Sequence, residues 1–204
     1  MTISIDPQFL FPTPILCFRN DNINVEEMNK GIESYVMDQC NKEKNNQYSI
    51  IGDGWHSSND LTELDYQWSR DLKSLILEVC GQYMNRDLSK EEILIDAWAV
   101  LLNKGGSSNY HCHAGWGLSG VYYTTVPEGI DKDNGSIHFP DFRSGAMASI
   151  HEMPTAVFPP NEGTGFVFQS WCPHYVTPHV QDEPRISVSW NMISKGDKDS
   201  RLNN

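Results

Sequence analysis

The sequence has little positive charge, few cysteines and no long hydrophobic run. Its 204 residues carry 15 Lys and Arg against 27 Asp and Glu, which gives a formal net charge of -12. Because a surface that follows nucleic-acid phosphates needs the opposite balance, the composition disfavours nucleic-acid binding. No segment approaches the roughly 18 consecutive apolar residues of a membrane span, so we expect no membrane-embedded part.

The cysteines and the N-terminus also exclude some classes of protein. The five cysteines are odd in number, scattered, and include no Cys-x-x-Cys pair, which disfavours a disulfide framework or a thiolate zinc site. The first twenty residues contain Asp6 and three prolines but no basic start, a pattern that is not that of a signal peptide. We therefore expect reduced cysteines and a cytoplasmic protein.

The first 90 residues carry the pattern of helices. Apolar residues at helical spacing predict helices over Asn24–Met37 and Asp60–Tyr83. Each predicted helix begins at a residue that favours N-caps, and each has a Glu three residues later, as in a capping box. Because both helices have one apolar face, we expect them to cover another layer of the fold.

After residue 90 the pattern becomes that of short strands separated by Gly and Pro. The predicted strands are Ile93–Leu102, Leu118–Val126, Ser136–Phe139, Ala156–Phe158, Gly165–Phe168 and Arg185–Ile193. In the last strand Arg185, Ser187 and Ser189 alternate with Ile186 and Val188, so one face is polar and the other apolar. We expect the apolar face to pack on helices or a second sheet, and the polar face to line a cavity.

The order of these elements predicts a mainly β fold. Many short strands with turns between them are typical of a sandwich or barrel, and the preceding helices would pack on one sheet. The length suits one domain over residues 1–204. Within it, residues 1–90 are expected to form a helical support and residues 91–195 the strand-rich core.

Three histidines form a candidate metal site. His111 and His113 are two residues apart, so in an extended chain their side chains point to the same side. His174 follows a predicted strand about sixty residues later. Three ligands of this kind leave open positions on a metal, as a catalytic metal requires. The other histidines are interpreted as structural or solvated: His56, His138, His151 and His179.

An arginine lies close to this pattern in the sequence. Arg185 comes eleven residues after His174, and Ser187 follows it on the same strand face. A guanidinium offers a planar fork that suits a carboxylate, and the serine hydroxyl adds one donor. The sequence therefore indicates an anion site next to the metal site.

These motifs together resemble the iron(II)/2-oxoglutarate oxygenases, in particular their prolyl-hydroxylase-like branch in marine bacteria and phages. The resemblance covers about residues 92–193. It is carried by four segments in the right order: His111-Cys-His113 with Leu118-Ser-Gly-Val-Tyr-Tyr123, Gly135-Ser-Ile-His-Phe-Pro-Asp-Phe-Arg143, Gly165-Phe-Val-Phe-Gln-Ser-Trp171 with Pro173-His174, and Glu183-Pro-Arg185-Ile-Ser187-Val-Ser-Trp-Asn191. Phe11-Pro-Thr-Pro14 is similar to the start of that branch.

The resemblance implies a fold, an activity and a set of cofactors. The fold would be a double-stranded β-helix, the cupin-like jelly roll. The activity would couple decarboxylation of 2-oxoglutarate to succinate with hydroxylation of a C–H bond, using iron(II) and O2. Ascorbate is compatible as an accessory reductant. In a phage-encoded protein this activity would operate in the cytoplasm of the host cell.

The resemblance also implies roles for particular residues. His111 and His174 match iron ligands, and Arg185 matches the arginine that holds the distal carboxylate of 2-oxoglutarate. Tyr123 matches a tyrosine that reaches the same carboxylate; its alternative role is that of a barrel core residue. Asn103 occupies the place of a polar contact to 2-oxoglutarate, although a turn residue before Gly105-Gly106 is the role we favour.

One position departs from the family pattern. The usual third ligand is the carboxylate of an HxD or HxE motif, and this sequence has His113 there. We expect His113 to be the third ligand; the alternative is a carboxylate from elsewhere, Asp141 or Asp96.

The departure leaves two other functions open. One is a three-histidine metal dioxygenase that does not use 2-oxoglutarate, and the other is a catalytically silent jelly-roll binding or virion protein. The resemblance favours a peptidyl substrate by analogy only, with a small molecule as the alternative.

Overall fold

The computed structural model describes residues 11–43, 50–143 and 154–202, so His151 lies outside the described residues. Three helices are present in this part: α1 Val25–Lys42, α2 Gln67–Met84 and α3 Lys195–Leu202. The strands are β1 Ile15–Arg19, β2 Ile50–Ile51, β3 Gly54–His56, β4 Ile93–Leu102, β5 Ser107–His111, β6 Leu118–Thr125, β7 Ile137–Pro140, β8 Thr155–Phe158, β9 Thr164–Gln169, β10 His174–Val176 and β11 Arg185–Ser194.

The strands form two antiparallel sheets. The major sheet has six strands in the order β1-β9-β6-β11-β4-β3, and the minor sheet has five in the order β2-β5-β10-β7-β8. At the centre of the major sheet, β11 pairs with β4 over ten residues on one side and with β6 on the other. All six predicted strands are therefore present, with ends that differ by one residue or less from the prediction.

The alternation along β11 divides the protein into two apolar layers. Ile186, Val188 and Trp190 are fully buried in the core that also contains residues of α1 and α2. A second core includes Phe139 of the minor sheet and Phe168 of the major sheet. The helices therefore cover the outer face of the major sheet, as predicted, and the polar face of β11 looks into the space between the sheets.

The predicted start of the second helix is wrong. α2 begins at Gln67 rather than at Asp60. The preceding segment uses its backbone to pair with β4 instead: the Leu61 amide donates to the Ala97 carbonyl at 3.1 Å, and the Ala97 amide donates to the Asn59 carbonyl at 3.1 Å. Leu61 is fully buried there. Contact with the sheet thus outweighed the local capping signal.

The first helix lies where the sequence predicts it but runs five residues further, to Lys42. Its predicted cap is also wrong in detail, because the Asn24 side chain makes no capping hydrogen bond. All five cysteines are free, in agreement with the expected absence of disulfides. No helix of the described residues is long and apolar enough to cross a membrane.

A buried polar contact ties α1 to the major sheet. The Tyr122 hydroxyl of β6 donates to Oδ1 of Asn29 in α1 at 2.8 Å, and Tyr122 is fully buried. We predict that Tyr122→Phe lowers the free energy of unfolding by about 1–3 kcal/mol, because it leaves the buried Asn29 carbonyl without its donor. Urea unfolding measures this directly. Tyr66→Phe, which removes a half-exposed hydroxyl, is the control; equal effects of the two changes would contradict the prediction.

Candidate metal and co-substrate site

Two strands of the minor sheet bring three histidines together. β5 and β10 pair so that His111 lies opposite His174, and His113 follows two residues after the end of β5. One ring nitrogen from each histidine lies within 4.8 Å of the others. The ring centroids of His111 and His174 are 4.4 Å apart, and those of His113 and His174 are 5.3 Å apart. The structure thus places the three predicted ligands in one group.

Backbone carbonyls hold two of these rings in the form that binds metals. Nδ1 of His111 lies 2.6 Å from the Asn109 carbonyl oxygen, and Nδ1 of His174 lies 3.0 Å from that of Cys172. Because a carbonyl oxygen can only accept, Nδ1 is the nitrogen that donates in each ring, and in the neutral imidazole Nε2 is then the nitrogen with a lone pair. A second interaction of this kind is typical of histidines that bind metals.

Burial keeps two of the three predicted ligands unprotonated. Burial, with the nearby His111, lowers the pKa of His174 to about 3 and that of His113 to about 4. Both imidazoles are therefore neutral at pH 7. The group of three contains no carboxylate, and neutral imidazoles suit iron(II) among other divalent metals. The donor set fits an iron(II) ion held on one side, with its remaining positions open.

The low pKa values predict how the metal-free protein responds to acid. Below pH 6.5 the unfolded chain protonates its histidines, whereas folded His174 and His113 resist protonation down to about pH 3 and 4. Stability should therefore fall between pH 6.5 and 4, by up to about 1.4 kcal/mol per pH unit for each such histidine. Urea unfolding of metal-free protein at pH 7.0 and 5.5 tests this. We expect a smaller difference for His174→Gln; a difference no smaller in that variant would contradict the prediction.

The two alternative carboxylates lie elsewhere. Asp141 accepts from Nε of Arg143 at 2.9 Å and from the Arg143 amide at 3.1 Å, and these bonds lower the pKa of its carboxyl to about 2. Asp96 is on β4, opposite Asn191 of β11. Neither residue belongs to the histidine group or lines the cavity next to it.

A cavity between the sheets, here called the central cavity, connects the histidines with the polar face of β11. Its lining includes Trp98, His111, His113, Tyr123, His174, Arg185, Ser187 and Ser189. Metal-binding and anion-binding side chains thus share one enclosed space.

Arg185 is a buried cation without a carboxylate partner in the described part of the chain. It is 2% exposed; burial lowers its pKa, and the neighbouring Tyr123 acts in the opposite direction. Its Cζ lies 4.8 Å from the centre of the Tyr123 ring. Nε of Arg185 is buried without a hydrogen-bond partner among the described residues, and the Tyr123 hydroxyl lies next to the guanidinium. Since a buried unpaired charge is costly, this end of the cavity is suited to an anion.

The two remaining predicted residues, Ser187 and Asn103, differ in position. Ser187 is buried on the cavity face, directly across from Tyr123 in the neighbouring strand. Asn103 does not line the cavity. Its carbonyl accepts from the Gly106 amide at 2.7 Å and its amide donates to the Asp53 carbonyl at 3.1 Å, which corresponds to the turn role.

The other described histidines have backbone or side-chain partners outside the metal group. Nδ1 of His56 lies 2.6 Å from the Ser57 carbonyl oxygen, and Nε2 of His179 lies 2.9 Å from that of Leu102. Nδ1 of His138 lies 3.2 Å from the Tyr175 hydroxyl. These contacts support structural roles.

Sequence reasoning missed Trp98 as a residue of the site. It lies within the apolar strand β4, where a tryptophan is most simply interpreted as core. The usable signal was the alternation: Trp98, Val100 and Leu102 share one strand face, and all three line the central cavity.

Part of the sequence matches a known protein family. The family described as "Putative 2OG-Fe(II) oxygenase" matches residues 96–191, which include all three histidines and Arg185. No protein of curated function matches the sequence.

Solved structures with the same fold include several oxygenases of this type. A prolyl-4-hydroxylase from Pseudomonas putida has a TM-score of 0.62 and 15% identity, over 88% of this chain and 92% of that one. A prolyl hydroxylase from Trichoplax adhaerens, in complex with a peptide fragment of the hypoxia inducible factor oxygen degradation domain, has a TM-score of 0.60 and 12% identity over 91% and 86%. HygX from Streptomyces hygroscopicus, with nickel and 2-oxoglutarate bound, has a TM-score of 0.58 and 8% identity over 88% and 82%.

The fold is therefore the double-stranded β-helix that the resemblance implied, with helices on one sheet. The family match over residues 96–191 and the shared fold support a 2OG-Fe(II) oxygenase with prolyl-hydroxylase-like structure. Iron(II), 2-oxoglutarate and O2 are accordingly the cofactors that this family implies.

Proposed function

We propose that His111, His113 and His174 hold iron(II) and that Arg185, assisted by Ser187 and Tyr123, holds the distal carboxylate of 2-oxoglutarate. The observation that carries this proposal is the buried Arg185, which has no carboxylate partner among the described residues and lies in the same cavity as the three histidines. An enclosed cation without an acidic partner needs an anion, and a dicarboxylate can neutralise it while reaching the metal.

Bound iron(II) supplies redox chemistry in which O2 gives one oxygen atom to succinate, formed from 2-oxoglutarate with loss of CO2, and the other to a substrate C–H bond. The side chains of this protein bind and orient. Arg185 would fix one end of the co-substrate, and ring nitrogens of His111, His113 and His174 would hold the metal. The apolar walls, among them Val121 and Phe168, exclude water from the cavity.

The substrate proposed is a peptidyl side chain, with a small molecule as the alternative. The support is the peptide bound to the prolyl hydroxylase from Trichoplax adhaerens, whose fold this chain shares. The five free cysteines suit a reducing compartment, and we propose the cytoplasm as the place of action.

The proposed function is tested by product formation without a known substrate. Protein loaded with iron(II) is incubated with 2-oxoglutarate in air, and succinate is measured by NMR. We expect succinate only when iron and O2 are both present. Binding of iron without binding or conversion of 2-oxoglutarate would favour the three-histidine dioxygenase, and the absence of both would favour the silent binding protein.

A further inference from the structure

The three proposed ligands are not held in the same way. His111 and His174 each have Nδ1 beside a backbone carbonyl oxygen, at 2.6 and 3.0 Å. The ring of His113 has no such partner among the described residues. Its backbone amide donates to the Ser170 carbonyl at 2.8 Å, a bond that fixes the main chain and does not itself orient the imidazole.

An aromatic ring occupies the place next to His113. The ring centroid of Trp98 lies 5.7 Å from that of His113, with the two planes tilted by 49°. Trp98 is only 8% exposed and lines the central cavity from β4. Apart from the two other ligands, it is the ring that His113 contacts in the described part of the chain.

Trp98 also packs against a second histidine, His56. His56 stacks on it with ring centroids 5.6 Å apart and planes 14° from parallel. His56 is buried, and its Nδ1 lies 2.6 Å from the Ser57 carbonyl oxygen. Ser57 is in turn joined to β4 by two hydrogen bonds with Ala99, at 3.0 Å from its amide and 2.8 Å to its hydroxyl. The stack is therefore anchored to the backbone of the strand that carries Trp98.

We infer that Trp98, supported by His56, is the positioning residue of His113 and sets the ring orientation of the third metal ligand. The Trp98 ring would restrict the orientation of the His113 imidazole, as backbone carbonyl oxygens do for the rings of His111 and His174. This inference rests on the proposed three-histidine metal site. Loss of an outer partner of a metal ligand typically weakens metal binding 10–100-fold, which is the size of effect expected here.

The test uses cobalt(II), whose visible spectrum reports ligand geometry, added to metal-free protein under nitrogen. We expect Trp98→Leu to weaken cobalt binding 10–100-fold and to change the spectrum. Trp98→Phe keeps a ring against His113 and should restore the wild-type spectrum. Trp68→Leu is the matched control, because Trp68 is equally buried, at 8% exposure, but packs in the helical core away from the cavity.

A double-mutant cycle separates positioning from general loss of structure. An aspartate at position 113 has no ring to orient, so Trp98→Leu should have little effect on cobalt affinity in the His113→Asp background. The inference is overturned if Trp98→Leu binds cobalt with unchanged affinity and spectrum, or if Trp68→Leu causes the same change. A wild type that binds no cobalt would instead overturn the proposed metal site, and this inference with it.

Discussion

Replacing Arg185 with alanine is expected to weaken 2-oxoglutarate binding by about 30-fold to several thousand-fold. Removing one partner of a buried charged pair costs about 2–5 kcal/mol, and about 1.4 kcal/mol corresponds to tenfold in affinity. Arg185 is 2% exposed, and among the described residues no other Lys or Arg lines the central cavity, so no second cation is positioned to replace it. Arg185→Lys should fall in between, because it keeps the charge and loses the planar fork.

Calorimetric titration of iron-loaded protein under nitrogen measures this effect. Lys104→Ala is the control: it removes an exposed cation, paired with Asp182 at 2.7 Å, and should leave the affinity unchanged. An Arg185→Ala variant that binds 2-oxoglutarate like the wild type would remove Arg185 from the proposed site.

Replacing His113 should show whether this residue binds the metal directly or only lies near it. We expect His113→Ala to weaken iron(II) binding by at least the 10–100-fold that is typical of losing an outer partner of a ligand, since a direct ligand is lost. His113→Asp should retain iron, because it restores the two-histidine, one-carboxylate arrangement usual in this type of oxygenase.

The iron content of His113→Ala and His113→Asp after removal of excess metal, together with competition against a chelator, gives the affinity of each variant for iron(II). His138→Ala is the matched control, because His138 lies in β7 and contacts Tyr175 instead of the metal group. Equal iron binding by the wild type and His113→Ala would mean that another residue supplies the third ligand.

The sequence predicted the long strands well for a physical reason. β4, β6 and β11 have eight to ten residues, enough for the apolar or alternating pattern to stand out. On β11 the alternation also predicted which face packs on the helices and which lines the cavity. β2, β3 and β10 have only two or three residues, and their pairing partners rather than their own residues determine them.

The candidate site could be predicted only in part. The spacing of His111 and His113 gave their common direction, but their approach to His174 depends on the register between β5 and β10, which is a tertiary property. The start of α2 and the role of Trp98 depend likewise on what lies across the sheet. Local sequence patterns do not report such contacts, and at Asp60 they predicted the start of a helix where the chain instead pairs with β4.

A crystal structure grown under nitrogen with iron(II) or manganese(II) and 2-oxoglutarate would show which residues hold the metal and the co-substrate. We expect a ring nitrogen of each of His111, His113 and His174 at about 2.0–2.3 Å from one metal ion. We also expect the Arg185 guanidinium in a paired contact of about 2.7–2.9 Å with the distal carboxylate of 2-oxoglutarate. A metal bound by Asp141 or Asp96 with His113 turned away, or 2-oxoglutarate bound far from Arg185, would contradict the proposed site.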